Sequence, residues 1–461
     1  MSEHFDVVVL GAGPGGYVAA VRAAELGQRV AVIEGRWWGG VCLNVGCIPT
    51  KALLHHAAVA DTVLHHAEEY GIGGAPQVAY GPAYRHSRDT VERLTNGVHF
   101  LMRSHGITEI DGWGSFIDGH KLLVTSPGAA DRTITCDSCI IAVGATAKKL
   151  PGTVGSNAST TYQELIMAER LPQSVVIAGS GALGLEFASL LRSYGVQVSI
   201  VEYLERLAPA EEREVSDELT KAFRKRGVEV LTGTKVVSAT DVFGGVEVKV
   251  EPVGGGEGRA LQAALLLQAI GVEPRVTGYG LERAGVELDE HGAIAIDEQM
   301  RTNVPGVYAI GDVTGKLMLA HTASAQGRVA AEAIAGLNPA PLDYRMIPRA
   351  MYCQPQTASF GYTEIQAVSA GYDVAVGKFS FSANGKAVGS GESVGFVKVI
   401  ADAATHELLG AHILGADAAE LIPELVLAQR YQLRVEEIAA TIHAHPTLSE
   451  AIFDACAAVG R

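Results

Sequence analysis

Two cysteines five positions apart stand in the segment Gly39-Gly40-Val41-Cys42-Leu43-Asn44-Val45-Gly46-Cys47-Ile48-Pro49-Thr50-Lys51. Such a pair can be two buried thiols, part of a metal site, or a disulfide that opens and closes with two electrons. On an ideal helix the spacing is about 7.5 Å of rise, and an unstrained disulfide needs Cα atoms within ~7 Å. A bond therefore requires a distorted turn, which Gly46 and Pro49 could supply, and a bond held that way is readily reduced. Metal is the weaker option and no metal is expected. Zinc needs further Cys or His ligands at suitable spacing, and His55 and His56 follow without a second nearby cysteine pair.

A second chemical signal lies near the end, in His443-Ala444-His445-Pro446-Thr447-Leu448-Ser449-Glu450. A lone histidine is more often a satisfied core residue than a base. Here a carboxylate follows His445 across a proline, so a turn could let Glu450 orient the imidazole and raise its basicity.

The elements that must position these groups begin with a repeat. Residues 5–34 read as strand, glycine turn, helix and strand, with Gly11, Gly13 and Gly16 in G-x-G-x-x-G and Glu34 closing the second strand. The unit recurs 168 residues on, with Gly179, Gly181, Gly184 and Glu202, and in both copies the first glycine and the acid are 23 positions apart. The first glycine permits a tight turn, the second lets backbone N–H groups approach a pyrophosphate, and the third lets helix and strand pack closely. Phosphates suit the helix N-terminus, and the acid suits ribose hydroxyls. Two such units imply two dinucleotides, for which FAD with a nicotinamide makes chemical sense. Glu202 repels a 2′-phosphate, so NAD is expected over NADP; Arg206 stands close by in sequence.

Composition excludes several other classes. The chain has 461 residues, enough for about three domains, with 48% hydrophobic and 19% charged residues. A net charge of −15 argues against a nucleic-acid surface. No run approaches the ~18 apolar residues of a membrane span, and Met1 to Asp6 lacks the basic start of a secretory signal. Six cysteines are too few for a stapled secreted fold. A cytoplasmic protein, without nucleic acid or membrane as a partner, is expected.

The Cys-Leu-Asn-Val-Gly-Cys-Ile-Pro segment resembles the redox site of the flavin-dependent pyridine nucleotide disulfide oxidoreductases, with wording closest to the dihydrolipoamide dehydrogenases, and the likeness runs along essentially the whole chain. It implies an α/β fold: two Rossmann-like dinucleotide-binding domains and a C-terminal α+β dimerisation domain. Residues 1–150 and 271–343 would form the FAD-binding and central parts, 151–270 the NAD-binding domain, and 344–461 the dimer-forming domain. Cys42 would exchange with the dithiol substrate, and Cys47 would lie against the flavin. Lys51 would approach the flavin, with Glu186 as its partner. His445 would be the acid/base, supplied to the other subunit, leaving His443 structural. Val304-Pro305-Gly306-Val307-Tyr308-Ala309-Ile310-Gly311-Asp312 resembles the second flavin motif, where Asp312 would hold the ribityl chain and His321 begins the next helix. Gly144 and Gly271 fall at further cofactor-facing turns. Gln326, where many relatives carry Glu, receives no role.

The implied activity is oxidation of protein-bound dihydrolipoamide with reduction of NAD⁺, in a homodimer partnered by the lipoyl-bearing acyltransferase subunit of a 2-oxoacid dehydrogenase complex. The alternatives are another flavin disulfide reductase acting on a small thiol or disulfide, a flavoprotein that moves hydride without a disulfide, and a dinucleotide-binding protein with inert cysteines. The pair Cys136 and Cys139 reads as structural: in a regular strand, positions three apart are ~10 Å apart, beyond disulfide reach.

Overall fold

The strand Glu3–Leu10 shows why its second half, Val7 to Leu10, is apolar at every position: Val7 and Val9 enter one buried cluster and Val8 and Leu10 another on the opposite face. A strand covered on both faces cannot alternate polar with apolar. In the computed structural model, which describes residues 3–151, 153 and 156–460, this strand lies at the centre of a seven-stranded sheet. Met1, Ser2, Gly152, Val154, Gly155 and Arg461 lie outside the described residues.

The chain divides into two units. The first comprises Met1–Ala52, Pro82–Lys148 and Val272–Tyr344; the second comprises Leu53–Gly81, Lys149–Gly271 and Arg345–Arg461. In the first, Glu3–Leu10 pairs in parallel with Val30–Glu34 and Arg132–Ile141, and Thr108–Asp111 extends the sheet beyond Val30–Glu34. Arg132–Ile141 also pairs with the antiparallel strand Lys121–Thr125, which in turn pairs with Trp113–Asp118, and its later residues carry the parallel strand Val307–Ala309. The helix Pro14–Glu25 packs on Ala320–Ile334. That approach needs small residues: a side-chain carbon on Gly327 would come within 2.6 Å of the Gly15 carbonyl oxygen. It brings two segments 300 residues apart in sequence into one layer.

The second unit contains a parallel five-stranded sheet in the order Glu229–Leu231, Gln197–Val201, Ser174–Ala178, Leu265–Gln268, Ser159–Thr161. An antiparallel three-stranded sheet, Thr234–Val242, Gly245–Pro252 and Arg259–Ala263, accompanies it. Its C-terminal part is an antiparallel five-stranded sheet in the order Arg349–Met351, Thr357–Gly361, Leu408–Leu414, Phe396–Asp402, Val374–Ser380, with the helices Ala418–Arg430 and Glu450–Ala457 against it. This is the α/β and α+β combination expected from the sequence. No helix among the described residues is long and apolar enough to cross a membrane.

The spacing argument for Cys136 and Cys139 does not hold. Pairing with the first strand is interrupted between Phe5–Cys136 and Val7–Ser138, and both thiols enter the same apolar cluster. The neighbouring Cys136 thiol and burial together raise Cys139 well above the usual thiol value. A regular strand would have put them on opposite faces; the irregularity at Asp137 brings them together. Both are buried free thiols.

Candidate active site

Cys42 lies in the short helix Gly40–Val45, and Cys47 opens the helix Cys47–His65. Gly46 between them has φ −133 and ψ −117, which breaks the helix. A side-chain carbon there would sit 2.9 Å from the Val41 carbonyl oxygen and 3.3 Å from the Cys42 Cα. Glycine thus allows the sharp return that a continuous helix forbids. Thr50 fastens it, its hydroxyl donating to the Gly46 carbonyl at 2.6 Å. Both cysteines are half-buried free thiols. A hydrogen bond with the Cys47 thiol, followed by burial, pushes Cys42 well up, while the Lys51 ammonium pulls the other way. The two sulfurs therefore face one another beside a cation, the arrangement a dithiol needs to close into a disulfide or be held as a thiolate.

Two neighbours of this pair carry no sequence signal. Tyr17, on the helix Pro14–Glu25, packs into the cluster that includes Cys42, and its hydroxyl is raised by burial and then by the two cysteines. Arg88 donates to the Asn44 carbonyl at 2.9 Å, bracing the segment between the thiols.

The two glycine turns have the same geometry. Gly11 (φ +106) and Gly179 (φ +99) adopt a conformation open to glycine, and a side-chain carbon would lie 2.4 and 2.5 Å from the carbonyl oxygens of Ala142 and Ala269. At Gly16 and Gly184 it would meet the first glycine's own carbonyl, at 1.9 and 2.1 Å. Gly13 and Gly181 cap the two helices. The closing acids also correspond. Glu34 accepts from Ala12 N at 2.8 Å and from Arg36 N at 2.8 Å. Glu202 accepts from Ser180 N at 2.8 Å and from Leu204 N at 2.8 Å. Each carboxylate braces its own turn, a role the spacing alone does not reveal. Arg206 donates to the Pro209 carbonyl.

A cavity of about 540 Å³ opens beside Glu34, lined by Trp38, Asp111, Trp113 and Ser126 among others. Asp312 is the second residue of the turn Gly311–Thr314, which follows the strand Val307–Ala309 and Ile310, and burial pushes its carboxyl up to about 6. The glycine turn at Gly11, the acid Glu34 at the edge of this cavity and the buried Asp312 carboxyl lie in one unit, a donor set that fits a flavin dinucleotide. His321 is exposed near the start of the helix Ala320–Ile334. Gly144 and Gly271 both take positive φ, at 76 and 100.

In the second unit Glu186 is buried on the helix Ala182–Ser193, where one oxygen accepts from Tyr352 N at 3.0 Å. His445 carries Glu450 at 2.8 Å on an imidazole that is 78% exposed, whereas His443 is 8% exposed and held by Glu424 at 2.8 Å. The two histidines thus have opposite exposure. Among the described residues, one group with metal-ligand spacing occurs, His4, Asp6 and Asp137, at the opposite end of the first strand from the glycine turn.

Residues 5–327 match the family described as pyridine nucleotide-disulphide oxidoreductase, and residues 347–456 match its dimerisation domain. The chain belongs to the pyridine nucleotide-disulphide oxidoreductases. It is 53% identical over 450 residues to the dihydrolipoyl dehydrogenase of Mycobacterium tuberculosis, covering 97% of each chain. To the protein of that name from Corynebacterium glutamicum it is 51% identical over 458 residues, 99% and 98% of the two chains. Among solved structures it is similar to LpdA of M. tuberculosis, with a TM-score of 0.91 and 27% identity over 99% of each chain. It is also similar to the HOCl-induced flavoprotein disulfide reductase RclA of Escherichia coli, with a TM-score of 0.88 and 28% identity over 98% of this chain and 99% of that one. As a pyridine nucleotide-disulphide oxidoreductase the chain has the dithiol, the two dinucleotide turns and the dimerisation domain that the name requires.

Proposed function

We propose that the chain oxidises dihydrolipoamide, carried on the acyltransferase subunit of a 2-oxoacid dehydrogenase complex, to lipoamide, and passes the electron pair to NAD⁺. The observation that supports this reading most is the broken helix at Gly46, which faces Cys42 toward Cys47 with Lys51 close by.

In the oxidised enzyme Cys42 and Cys47 form a disulfide. His445, its Nδ1–H held by Glu450, accepts a proton at Nε2 from one substrate thiol. That thiolate attacks the Cys42 sulfur, and Cys47 leaves as a thiolate. The second substrate thiol, losing its proton, displaces Cys42, so the lipoyl disulfide closes as the enzyme becomes a dithiol. Lys51 favours the anionic form of the pair. Gly11, Gly13, Gly16, Glu34, Gly144, Lys51, Asp312 and His321 would hold FAD, and Gly179, Gly181, Gly184, Glu202 and Gly271 would hold NAD. FAD, when bound, supplies the two-electron relay between dithiol and nicotinamide. The exposed His445 suits a base presented to a second copy of the chain in a homodimer, and the surroundings of such a complex are cytoplasmic.

The test compares NAD⁺ reduction by dihydrolipoamide with NADPH oxidation by small disulfides. Faster turnover in the second assay would transfer the chain to the small-disulfide reductases.

A further inference from the structure

Gln326 is 1% exposed on the helix Ala320–Ile334. Its Oε1 accepts from Gly311 N at 2.6 Å, and its Nε2 donates to the Tyr344 hydroxyl at 2.9 Å. Because a backbone N–H can only donate, Gly311 takes the oxygen end of the amide, and the Tyr344 hydroxyl anchors the nitrogen end. Gly311, at φ +73, starts the turn that carries Asp312, and a side-chain carbon on it would be 3.2 Å from Ala323 Cβ, so the turn rests directly on this helix. Ile310 and Val313 on either side are wholly buried. The turn is therefore clamped by packing on both flanks, and its leading N–H is aimed by one side chain 15 residues away.

We propose that Gln326 is a positioning residue for the flavin site: by holding the Gly311 amide, with its own amide anchored by Tyr344, it sets the direction in which Asp312 presents its carboxylate to the ribityl hydroxyls. The inference rests on the reading of Asp312 as the ribityl ligand. Among the described residues no other side chain holds this turn amide. A glutamate would accept the same N–H with one oxygen and the Tyr344 hydroxyl proton with the other, so the device tolerates Glu but not an apolar isostere. An unpaired buried N–H pushes the turn to reorient.

The experiment follows FAD release from diluted holoenzyme by flavin fluorescence, for the parent and for Gln326→Leu, Gln326→Glu, Tyr344→Phe and Asp312→Ala. Gln326→Leu is expected to speed release roughly tenfold, as loss of one well-aimed buried bond does. Gln326→Glu should stay within about twofold of the parent, and Tyr344→Phe should fall between. A general loss of core packing would not be rescued by Glu, which separates positioning from mere structure. Gln326→Leu releasing FAD at the parent rate while Asp312→Ala accelerates it overturns the role of Gln326. Release unchanged in Asp312→Ala overturns the underlying reading of Asp312. If the Leu variant does not fold, Tyr344→Phe at the parent rate overturns the claim that Tyr344 anchors the amide, and Gln326→Glu releasing FAD as fast as Asp312→Ala overturns the rest.

Discussion

Glu450 binds His445 Nδ1 at 2.8 Å with one oxygen and accepts from Thr447 N at 2.8 Å with the other. The carboxylate is thereby fixed at both oxygens, and the imidazole it orients has Nε2 directed outward for a proton. The Thr447 N–H first, and then His445, hold Glu450 below the usual carboxylate range. A depressed acid is ionised above its ordinary value and loses its pairing only as the pH falls through the lowered one. Glu450 therefore stays charged throughout the working range, and an acid limb in a pH–rate profile belongs to another group. Replacing His445 by Gln should lower dithiol oxidation about 10²–10⁴-fold, and Glu450→Ala should lower it less, with FAD content unchanged. Parent-like turnover in His445→Gln would remove the base from the mechanism.

Exchange of Cys42 for Ser should abolish NAD⁺ reduction by dihydrolipoamide and leave a yellow, FAD-bound protein. The thiolate band expected of Cys47 should survive in absorption spectra of this variant, since Cys47 keeps its position at the start of its helix. Retained lipoamide turnover would show that the disulfide step is not used.

Glu202 braces the turn through Ser180 N and Leu204 N, and in the proposed reading it also repels a 2′-phosphate. Glu202→Ala should raise the KM for NAD⁺ about tenfold and cost about 1–3 kcal/mol of stability through the orphaned amides. Loss of both NAD⁺ selectivity and melting temperature is the expected pair of results. A shift in neither would mean that the carboxylate does not hold the turn.

Asp312 gives a pH dependence of unusual sign. Burial raises its carboxyl to about 6 in the folded FAD-free protein, against about 3.9 in an unfolded chain. The folded state thus binds the proton more tightly. Its contribution is stabilising at low pH and is lost as the pH rises from about 4 to about 6, by up to roughly 3 kcal/mol. Asp312→Asn should flatten this part of the stability curve of FAD-free protein. Identical curves for the two proteins would refute the assignment.

Lys398 crosses the C-terminal sheet with its side chain 2% exposed, and its ammonium meets Glu212, Glu214 and Glu364 at 3.3, 2.8 and 2.7 Å. Burial alone would lower this amine; the hydrogen bonds of Glu214 and Glu364 and the charge of Glu212 overcome that and raise it. Lys398→Met removes the cation shared by Glu212, Glu214 and Glu364, of which Glu214 keeps a second cation in Lys378, and should cost about 3–5 kcal/mol. The loss should shrink below about pH 5, where glutamates begin to protonate. Chemical denaturation at two pH values measures both effects.

The parts of the molecule legible in the sequence were those whose meaning is local. The glycine turns and their closing acids depend on contacts within about one βαβ unit, so Gly11, Gly16 and Glu34 announce themselves, as do their counterparts Gly179, Gly184 and Glu202. The break at Gly46 was likewise implied by the poor fit of a five-residue cysteine spacing to a helix. Long-range relations left no pattern. Gln326 meets Gly311 because the turn Gly311–Thr314 rests against Ala323 of the helix that follows it, and Lys398 meets Glu212 across 186 positions. The unbonded state of Cys136 and Cys139 was legible but their shared face was not, because both paired strands change face together, between Phe5 and Val8 and between Cys136 and Cys139, at constant register.

The carboxylates around Lys398 come from the segment before and within the helix Arg213–Lys225 and from Glu364, whereas the amine comes from the strand Phe396–Asp402. Glu212 is 4% exposed, and its partners, the Lys398 ammonium and the Glu364 N–H, both come from beyond residue 344. A fragment cut before residue 344, designed to isolate a nucleotide-binding module, would lose both and open this carboxylate to water. The middle of the chain thus keeps its ion cluster only while its end stays attached.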